Sequence, residues 1–455
     1  MLPEVPQQEI ERAVQDRNFV RLRQLFAGLE PPDIANAIDN LEPDERAVVL
    51  RIMPRDSAAD IFEHLEPDAQ EGLIKAMARE QVAAILNEMA PDDRTQLLEE
   101  LPASVTKQVL SLLSPDERVI ARKLLGYPED SIGRLMTPDF ITIREDWTVR
   151  QALEHVRLYG EDSETLNVVN VVDDRGKLTD DLRMRQLLLA DPKARISKLT
   201  DGHFIALQAM DDQEGAVDVF KEYDRVALPV TDSRGILLGI VTVDDVLDVA
   251  VEEATEDIQM IGGSVALEQP FMQIDFPSML RKRMGWLVFL FLGQLLTLNA
   301  MGFFAERLAE LLVLVLFVPL IISSGGNSGS QAATLVVRAM ALGEVEPRDW
   351  WRVLRREIAF GLMLGAILSS VGFLRIALGE RMTGGYGPDW PVLGFAVGIS
   401  LVCVVLWGVL VGSMLPFMMR WLGADPAASS APFVATIVDV TGLIIYLSVA
   451  SAVLA

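Results

Sequence analysis

The sequence predicts a multidomain chain with an N-terminal α-helical superhelix, a pair of α/β units, a long connecting helix and an all-α transmembrane domain of five helices. Three observations carry that expectation. Charge is divided along the chain, proline recurs at fixed steps near the amino end, and five apolar stretches crowd the carboxyl end. Residues 1–280 hold 28 Lys and Arg against 55 Asp and Glu, whereas residues 281–455 hold 12 against 10. A single domain rarely splits its charge so, which puts the main boundary near Phe276–Arg281.

The acidic part argues against a nucleic-acid partner, because phosphate binding needs clustered Lys and Arg. It suits cations, or simply a solvated acidic surface. Cys403 is the only cysteine, so no intrachain disulfide can form. The opening MLPEVPQQEIER lacks the basic and apolar regions of a secretory signal.

In residues 1–130 a short motif repeats. Leu41-Glu-Pro-Asp44, Leu65-Glu-Pro-Asp68, Met89-Ala-Pro-Asp92 and Leu113-Ser-Pro-Asp116 recur at 24-residue steps, with Leu29-Glu-Pro31, Met53-Pro54 and Leu101-Pro102 between them. Proline followed by Asp, Glu or Ser is a helix-start signal. Apolar residues then fall at helical spacing, as in Asp33–Leu41 and Arg94–Leu101. The pattern predicts short helices stacked in pairs into a superhelix, a scaffold rather than a catalytic fold.

Residues 131–199 and 200–250 read as two similar α/β units. β-Branched runs (Asn167–Asp173, Ala227–Asp232) alternate with amphipathic helices. The first unit opens at MTPDFITIREDWTVRQALEHV. The second opens at HFIALQAMDDQEGAVDVFKEY and closes on LGIVTVDDVLD. No Ser/His/Asp, Cys/His or metal-hydrolase spacing occurs here, so no enzyme is expected. Residues 251–280 form a connecting helix and linker; the acidic run Val243–Met260 reads as one long amphipathic helix leading towards the membrane part.

Within residues 281–455 the apolar stretches are Met284–Phe304, Leu308–Val337, Ile358–Leu378, Pro391–Met419 and Pro432–Leu454. Each reaches the ~20 residues needed to span a bilayer. Arg281, Lys282, Arg283, Arg338, Arg348, Arg352, Arg355, Arg356 and Arg420 flank one side, against Arg307, Arg375 and Arg381 on the other. That bias puts the N-terminus in the cytoplasm and the C-terminus outside.

Two features are not ordinary lipid-facing sequence. Asp439 lies well inside the fifth stretch, where a charge costs several kcal/mol and needs a partner or a wet cavity. One reading is a protonated Asp hydrogen-bonded to Thr436 or Thr441; the preferred one is a pore-lining carboxylate. The second feature is the run from Pro319 to Leu335, PLIISSGGNSGSQAATL. Its proline and glycines predict a break in the second helix, with close packing of the glycines as the plain alternative. Ser323, Ser324, Asn327, Ser328, Ser330 and Gln331 add neutral oxygens. Such a site suits Mg²⁺, a small oxygen-seeking ion that keeps much of its water. The three histidines lie outside the apolar stretches, which disfavours a zinc or copper carrier but leaves Mn²⁺ and Co²⁺ open.

LGIVTVDDVLD resembles the closing pattern of a CBS domain, a βαββα module that works in pairs and binds adenosine nucleotides or metal ions. The first unit's counterpart, KLTDDLRMRQLLLAD, lacks the usual glycine. The order of parts, together with MTPDF, EATEDI, GGNSGSQAATL and PFVATIVDVTGLIIYLSVA, resembles the MgtE family of Mg²⁺ channels over essentially the full length. The resemblance implies a homodimer with an ion path between the copies, and Asp439 as the pore carboxylate beside Asn327, Ser330, Gln331 and Thr436. It implies regulatory Mg²⁺ at Glu214, Asp224, Asp245, Asp248, Asp92 or Asp93, Glu256 and Asp257. ATP at the CBS pair and a plasma (inner) membrane location follow from the same source. Two departures fall near the expected path: Ser330 stands where the family often has Asn, and Ala431 where an Asn commonly precedes the proline. The functional expectation is a Mg²⁺-selective channel or transporter gated by cytosolic Mg²⁺. The alternatives are a Mn²⁺/Co²⁺ permeation protein or a CBS-containing membrane sensor without transport.

Overall fold

The structure is a computed structural model that describes residues 7–265, 267, 274, 276–306, 312–383 and 386–454. Arg307, much of the linker at 266–275 and the start of the second apolar stretch lie outside the described residues. The chain divides into two compact units, Met1–Val251 and Glu252–Ala455.

The first unit begins with ten short helices. They are α1 (Gln7–Gln15), α2 (Phe19–Phe26), α3 (Pro31–Ile38), α4 (Pro43–Ile52), α5 (Arg55–Glu63), α6 (Pro67–Ala76), α7 (Arg79–Glu88), α8 (Pro91–Glu100), α9 (Ala103–Leu112) and α10 (Pro115–Leu124). Pro43, Pro67, Pro91 and Pro115 each open a helix, where a missing N–H costs nothing and the fixed φ is already helical. Pro54 and Pro102 stand as N-caps of α5 and α9. α3 packs on α5, α4 on α6, α5 on α7, α7 on α9 and α8 on α10, and these contacts to the helix two places ahead wind the superhelix around one apolar core.

A short helix, α11 (Ile132–Leu135), leads into β1 (Thr142–Arg144), α12 (Val149–Tyr159), β2 (Val168–Val172), β3 (Leu178–Arg183) and α13 (Met184–Leu189). The second unit of the pair repeats the order: β4 (Leu207–Gln208), α14 (Glu214–Tyr223), β5 (Ala227–Thr231), β6 (Leu237–Thr242) and α15 (Val243–Ile261). In each sheet the first strand is parallel and the third antiparallel to the middle one. The two units are not consecutive in space. Leu124, Ile132 and Met136 pack into the second unit's core, and Thr137 exchanges backbone hydrogen bonds of 2.9 and 3.0 Å with Ile240. Gly239 makes room for this crossing, since a Cβ there would lie 2.7 Å from the Thr137 carbonyl oxygen.

The remaining helices are α16 (Phe276–Gln294), α17 (Leu296–Phe303), α18 (Val318–Ala341), α19 (Trp350–Thr383), α20 (Trp390–Trp421) and α21 (Ala431–Leu454). They supply five spans long and apolar enough to cross a membrane, α16 and α17 counting as one. α20 is central and packs on α18, α19 and α21.

The expected break in the second span is not there: α18 is continuous over 24 residues. Pro319 falls in its first turn, where it breaks no hydrogen bond. Its glycines close-pack instead. A Cβ on Gly325 would lie 2.6 Å from Val404 Cγ1, and one on Gly329 2.7 Å from the Gly408 carbonyl oxygen. Gly325 and Gly329 on α18 thus face Gly408 and Gly412 on α20, a small-residue contact that lets backbones approach.

Candidate ion-binding sites

Asp439 sits on α21, half-buried. Its Oδ2 accepts a 3.1 Å hydrogen bond from Gln294 Nε2 on α16. Gly326 of α18 leaves the other side open, since a Cβ there would lie 4.0 Å from Asp439 Oδ1. The threonines are not its donors. Thr436 Oγ1 donates to the Pro432 carbonyl (2.9 Å) and Thr441 Oγ1 to the Ile437 carbonyl (2.7 Å), the habit of hydroxyls inside helices. Sequence reasoning missed Gln294, although an amide inside an apolar span was a readable signal.

Beside Asp439, α18 turns a polar line outward. Ser323, Asn327, Gln331, Thr334 and Arg338 are all exposed and recur at helical spacing. Asn327 Nδ2 lies 3.4 Å from Ser323 Oγ as its donor. Amides facing hydrocarbon would leave donors and acceptors unmet at several kcal/mol each, so this line requires water or a protein surface. Ser330 faces inward instead, its hydroxyl donating to the Ala431 carbonyl at 3.1 Å. The two departures from the family pattern are therefore hydrogen-bonded to each other.

The second set of candidates lies in the first compact unit, where α8 and α15 begin. Asp92 is buried, and its Oδ1 has no hydrogen-bond partner. Burial, then the Asp245 and Asp93 charges, hold its carboxyl well above the ordinary range. Burial also pushes Asp93 up to about 7, with Glu63 and Glu164 adding repulsion and His64 opposing. Asp245 rises to about 7 chiefly through burial, although Thr242 Oγ1 donates to its Oδ2 at 2.6 Å; Asp244 adds repulsion. Glu63 rises to about 7 for the same first reason, against a 3.2 Å hydrogen bond from the Ala90 amide. Arg94, fully buried, donates to the Leu86 and Met89 carbonyls and to Glu117, and its charge only partly offsets the cluster.

The structure thus brings Asp92, Asp93 and Asp245 together and adds Glu63, Glu164 and Asp244, which no local pattern marked. Asp248 is exposed on α15, within electrostatic reach of Asp244 and His64. Glu214 and Asp224 sit at the two ends of α14, Asp224 in the left-handed region at φ 48°. Glu256 and Asp257 lie on the last turns of α15, in the second compact unit. Burial raises the Asp257 carboxyl, followed by repulsion from Asp425, another residue without a sequence signal. Among the described residues no three His, Cys, Asp or Glu side chains converge into a ready-made metal cage. Between β3 and the chain entering β4 there is also a cavity of about 430 Å³, lined by Asp180, Asp181, Arg183, Arg185, His203 and Arg225 among others.

The MgtE sequence profile, that of a divalent cation transporter, matches residues 318–449. The profile of the MgtE intracellular N domain matches 29–130, and that of the CBS domain matches 132–192 and 199–252. The magnesium transporter MgtE of Thermus thermophilus is 38% identical over 97% of both chains. That of Enterococcus faecalis is 32% identical, over 72% of this chain and 70% of its own. A crystal structure of the cytosolic domain of the Mg²⁺ channel MgtE in complex with ATP superposes with a TM-score of 0.51 at 33% identity, covering 53% of this chain and 99% of that one. With its helical N domain, CBS pair and five apolar spans in that order, the chain is a multi-pass membrane protein that belongs to the MgtE family of divalent cation transporters.

Proposed function

We propose that the chain conducts Mg²⁺ through the membrane and that cytosolic Mg²⁺, held by its acidic clusters, closes the path. The observation that carries the reading is Asp439: a carboxylate inside a span, bonded to the Gln294 amide and flanked by the outward polar line of α18. In a homodimer two such lines enclose a wet path with two carboxylates, enough charge for a divalent ion that keeps part of its water shell. Asn327, Gln331 and Thr436 supply neutral oxygens beside it. Ser330 donates to Ala431 and acts through that link, not through direct contact with the ion.

The regulatory part of the proposal rests on the donor chemistry of the first unit. The oxygens of Asp92, Asp93 and Asp245 repel one another, and Asp92 Oδ1 lacks any partner. An all-carboxylate set fits a hard cation such as Mg²⁺, whose charge would relieve the repulsion. Glu63, Glu164 and Asp244 belong to the same field. Glu214, Asp224 and Asp248 would serve further ions on the CBS pair, and Glu256 and Asp257, with Asp425, ions near the end of α15. ATP fits the CBS cavity in part. Arg183, within electrostatic reach of Asp181, and Arg185 form no ion pair among the described residues and would take phosphates, whereas Arg225 is held by Asp181 at 2.9 Å. The arginine bias at the helix ends supports a reading with the N-terminus in the cytoplasm and the C-terminus outside the plasma (inner) membrane.

Flux into proteoliposomes tests both parts. Mg²⁺ uptake is expected to fall at least tenfold in Asp439→Ala and to fall in the unmodified chain as Mg²⁺ on the cytoplasmic face rises. Normal uptake by Asp439→Ala would overturn the pore assignment. Uptake indifferent to cytoplasmic Mg²⁺ would remove the regulatory role and keep the pore.

A further inference from the structure

α19 packs chiefly against α20, and its remaining surface is open. Its first turns carry an unusual amount of unpaired charge. Arg348 pairs with Glu346 at 2.9 Å and Arg352 lies 3.9 Å from Asp349. Arg355 and Arg356 are exposed, yet neither has a carboxylate within ion-pair distance among the described residues. Glu357, next in the chain, is half-buried and lies within electrostatic reach of Arg356 without forming an ion pair to it. Aromatic rings hold the two guanidiniums in place. The Arg355 Cζ lies 5.9 Å from the Trp351 ring centre, and the Arg356 Cζ 5.6 Å from that of Phe360.

Trp350 stands against Trp351 (5.5 Å) and against Trp421 at the end of α20 (6.2 Å). Beneath them Val336, Met340, Val353, Met414 and Phe417 form one apolar cluster that draws together the ends of α18 and α20 and the start of α19. Arg338 and Arg420 are borne by the same corner and likewise lack a carboxylate partner among the described residues. Three tryptophans at the end of apolar spans mark the membrane–water boundary.

Below Arg356 runs an exposed apolar stripe. Phe360, Met363, Ile367, Val371 and Leu374 follow it at steps of three and four residues, on one face of the helix. At 1.5 Å per residue the stripe from Phe360 to Leu374 extends roughly 21 Å, enough for an acyl chain in one leaflet, which makes up about 15 Å of the ~30 Å hydrocarbon core. A cationic head above an apolar track of that length matches a phospholipid, not a free anion.

We propose that the start of α19 binds an anionic phospholipid, with Arg355 and Arg356 on its phosphate and headgroup and the stripe from Phe360 to Leu374 along an acyl chain. The charge complementarity commits the site to lipids such as phosphatidylglycerol over zwitterionic ones, and basic pockets at helix ends are known to take such headgroups. The site lies away from Asp439 and does not depend on how the ion is conducted.

Native mass spectrometry of the delipidated full chain tests this. The chain is offered equal amounts of phosphatidylglycerol and phosphatidylethanolamine of the same acyl length. The unmodified chain is expected to retain phosphatidylglycerol at least threefold over its competitor. Arg355→Gln/Arg356→Gln should lose the preference, and Arg355→Lys/Arg356→Lys should keep part of it. Glycerol phosphate in excess should not displace the lipid. Equal retention of the two lipids, or a preference that survives the double Gln change, would overturn the proposal, as would displacement by glycerol phosphate. Should the double variant fail to fold, Arg356→Gln and Met363→Glu, each altering one exposed side chain, read the headgroup and the track separately.

Discussion

Glu63, Asp93 and Asp245 are each pushed up to about 7, far from the ordinary carboxylate range, and burial is the first cause in every case. Their folded-state values exceed their unfolded ones, so the folded unit binds more protons between about pH 4 and 7. Stability therefore falls as pH rises through that window, because ionisation forces like charges into one field. Under the proposed function a cation takes the place of the protons. In Mg²⁺-free buffer the first cooperative melting transition is expected several degrees lower at pH 8 than at pH 6, and millimolar Mg²⁺ should restore it at pH 8 but add little at pH 6. Calorimetric Mg²⁺ titrations near pH 6.5, run in two buffers of different ionisation enthalpy, should show proton release that shrinks in Asp93→Asn. A melting temperature flat across this range would mean the field is relieved by solvent. Asp92, Asp93 and Asp245 were nameable from the sequence by resemblance. Glu63, Glu164 and Asp244 were not, since what distinguishes them is tertiary approach. Gln294 was visible as a polar residue in an apolar span, but its partner Asp439 is 145 residues away.

Helix starts in the N-terminal repeat were legible because Pro at the first position acts locally and independently of packing. The continuity of α18 was not legible, for the opposite reason. Glycine's intrinsic cost in a helix is about 1 kcal/mol each, which reads as a break. Here contact with Gly408 and Gly412 of α20 outweighs it, and that contact exists only in the fold. Tertiary packing also decides what can replace these glycines. A leucine at Gly412 would drive its Cβ into the Gly329 backbone, so Gly412→Leu should cost about 1–3 kcal/mol or more and lower the melting temperature in detergent. Gly285→Ala, with nothing within 4 Å of the added atom, should melt with the unmodified chain. Equal melting of both variants would show that α18 and α20 stand further apart than described.

At the scale of the whole molecule, the division between an acidic amino-terminal part and an apolar remainder was plain from charge and hydropathy alone. The way the CBS pair is threaded was not. The chain enters the second unit's core at Leu124, Ile132 and Met136, leaves to build the first unit, and returns at Leu207. Sequence reading places residues 131–136 with the first unit because they precede it, whereas their apolar side chains are buried in the second. The first unit is thus nested inside the second like a clause inside a sentence. Tension applied between residues 124 and 250 runs through the outer unit's stitches, Thr137 to Ile240 and Ile132 to Asp211, before it reaches the inner one. In an optical trap the two units should therefore open in a fixed order, outer then inner, each as its own step. An inner unit shielded in this way keeps its shape while the outer one yields, so a load passed along α15 would bear first on the fold that carries Asp245.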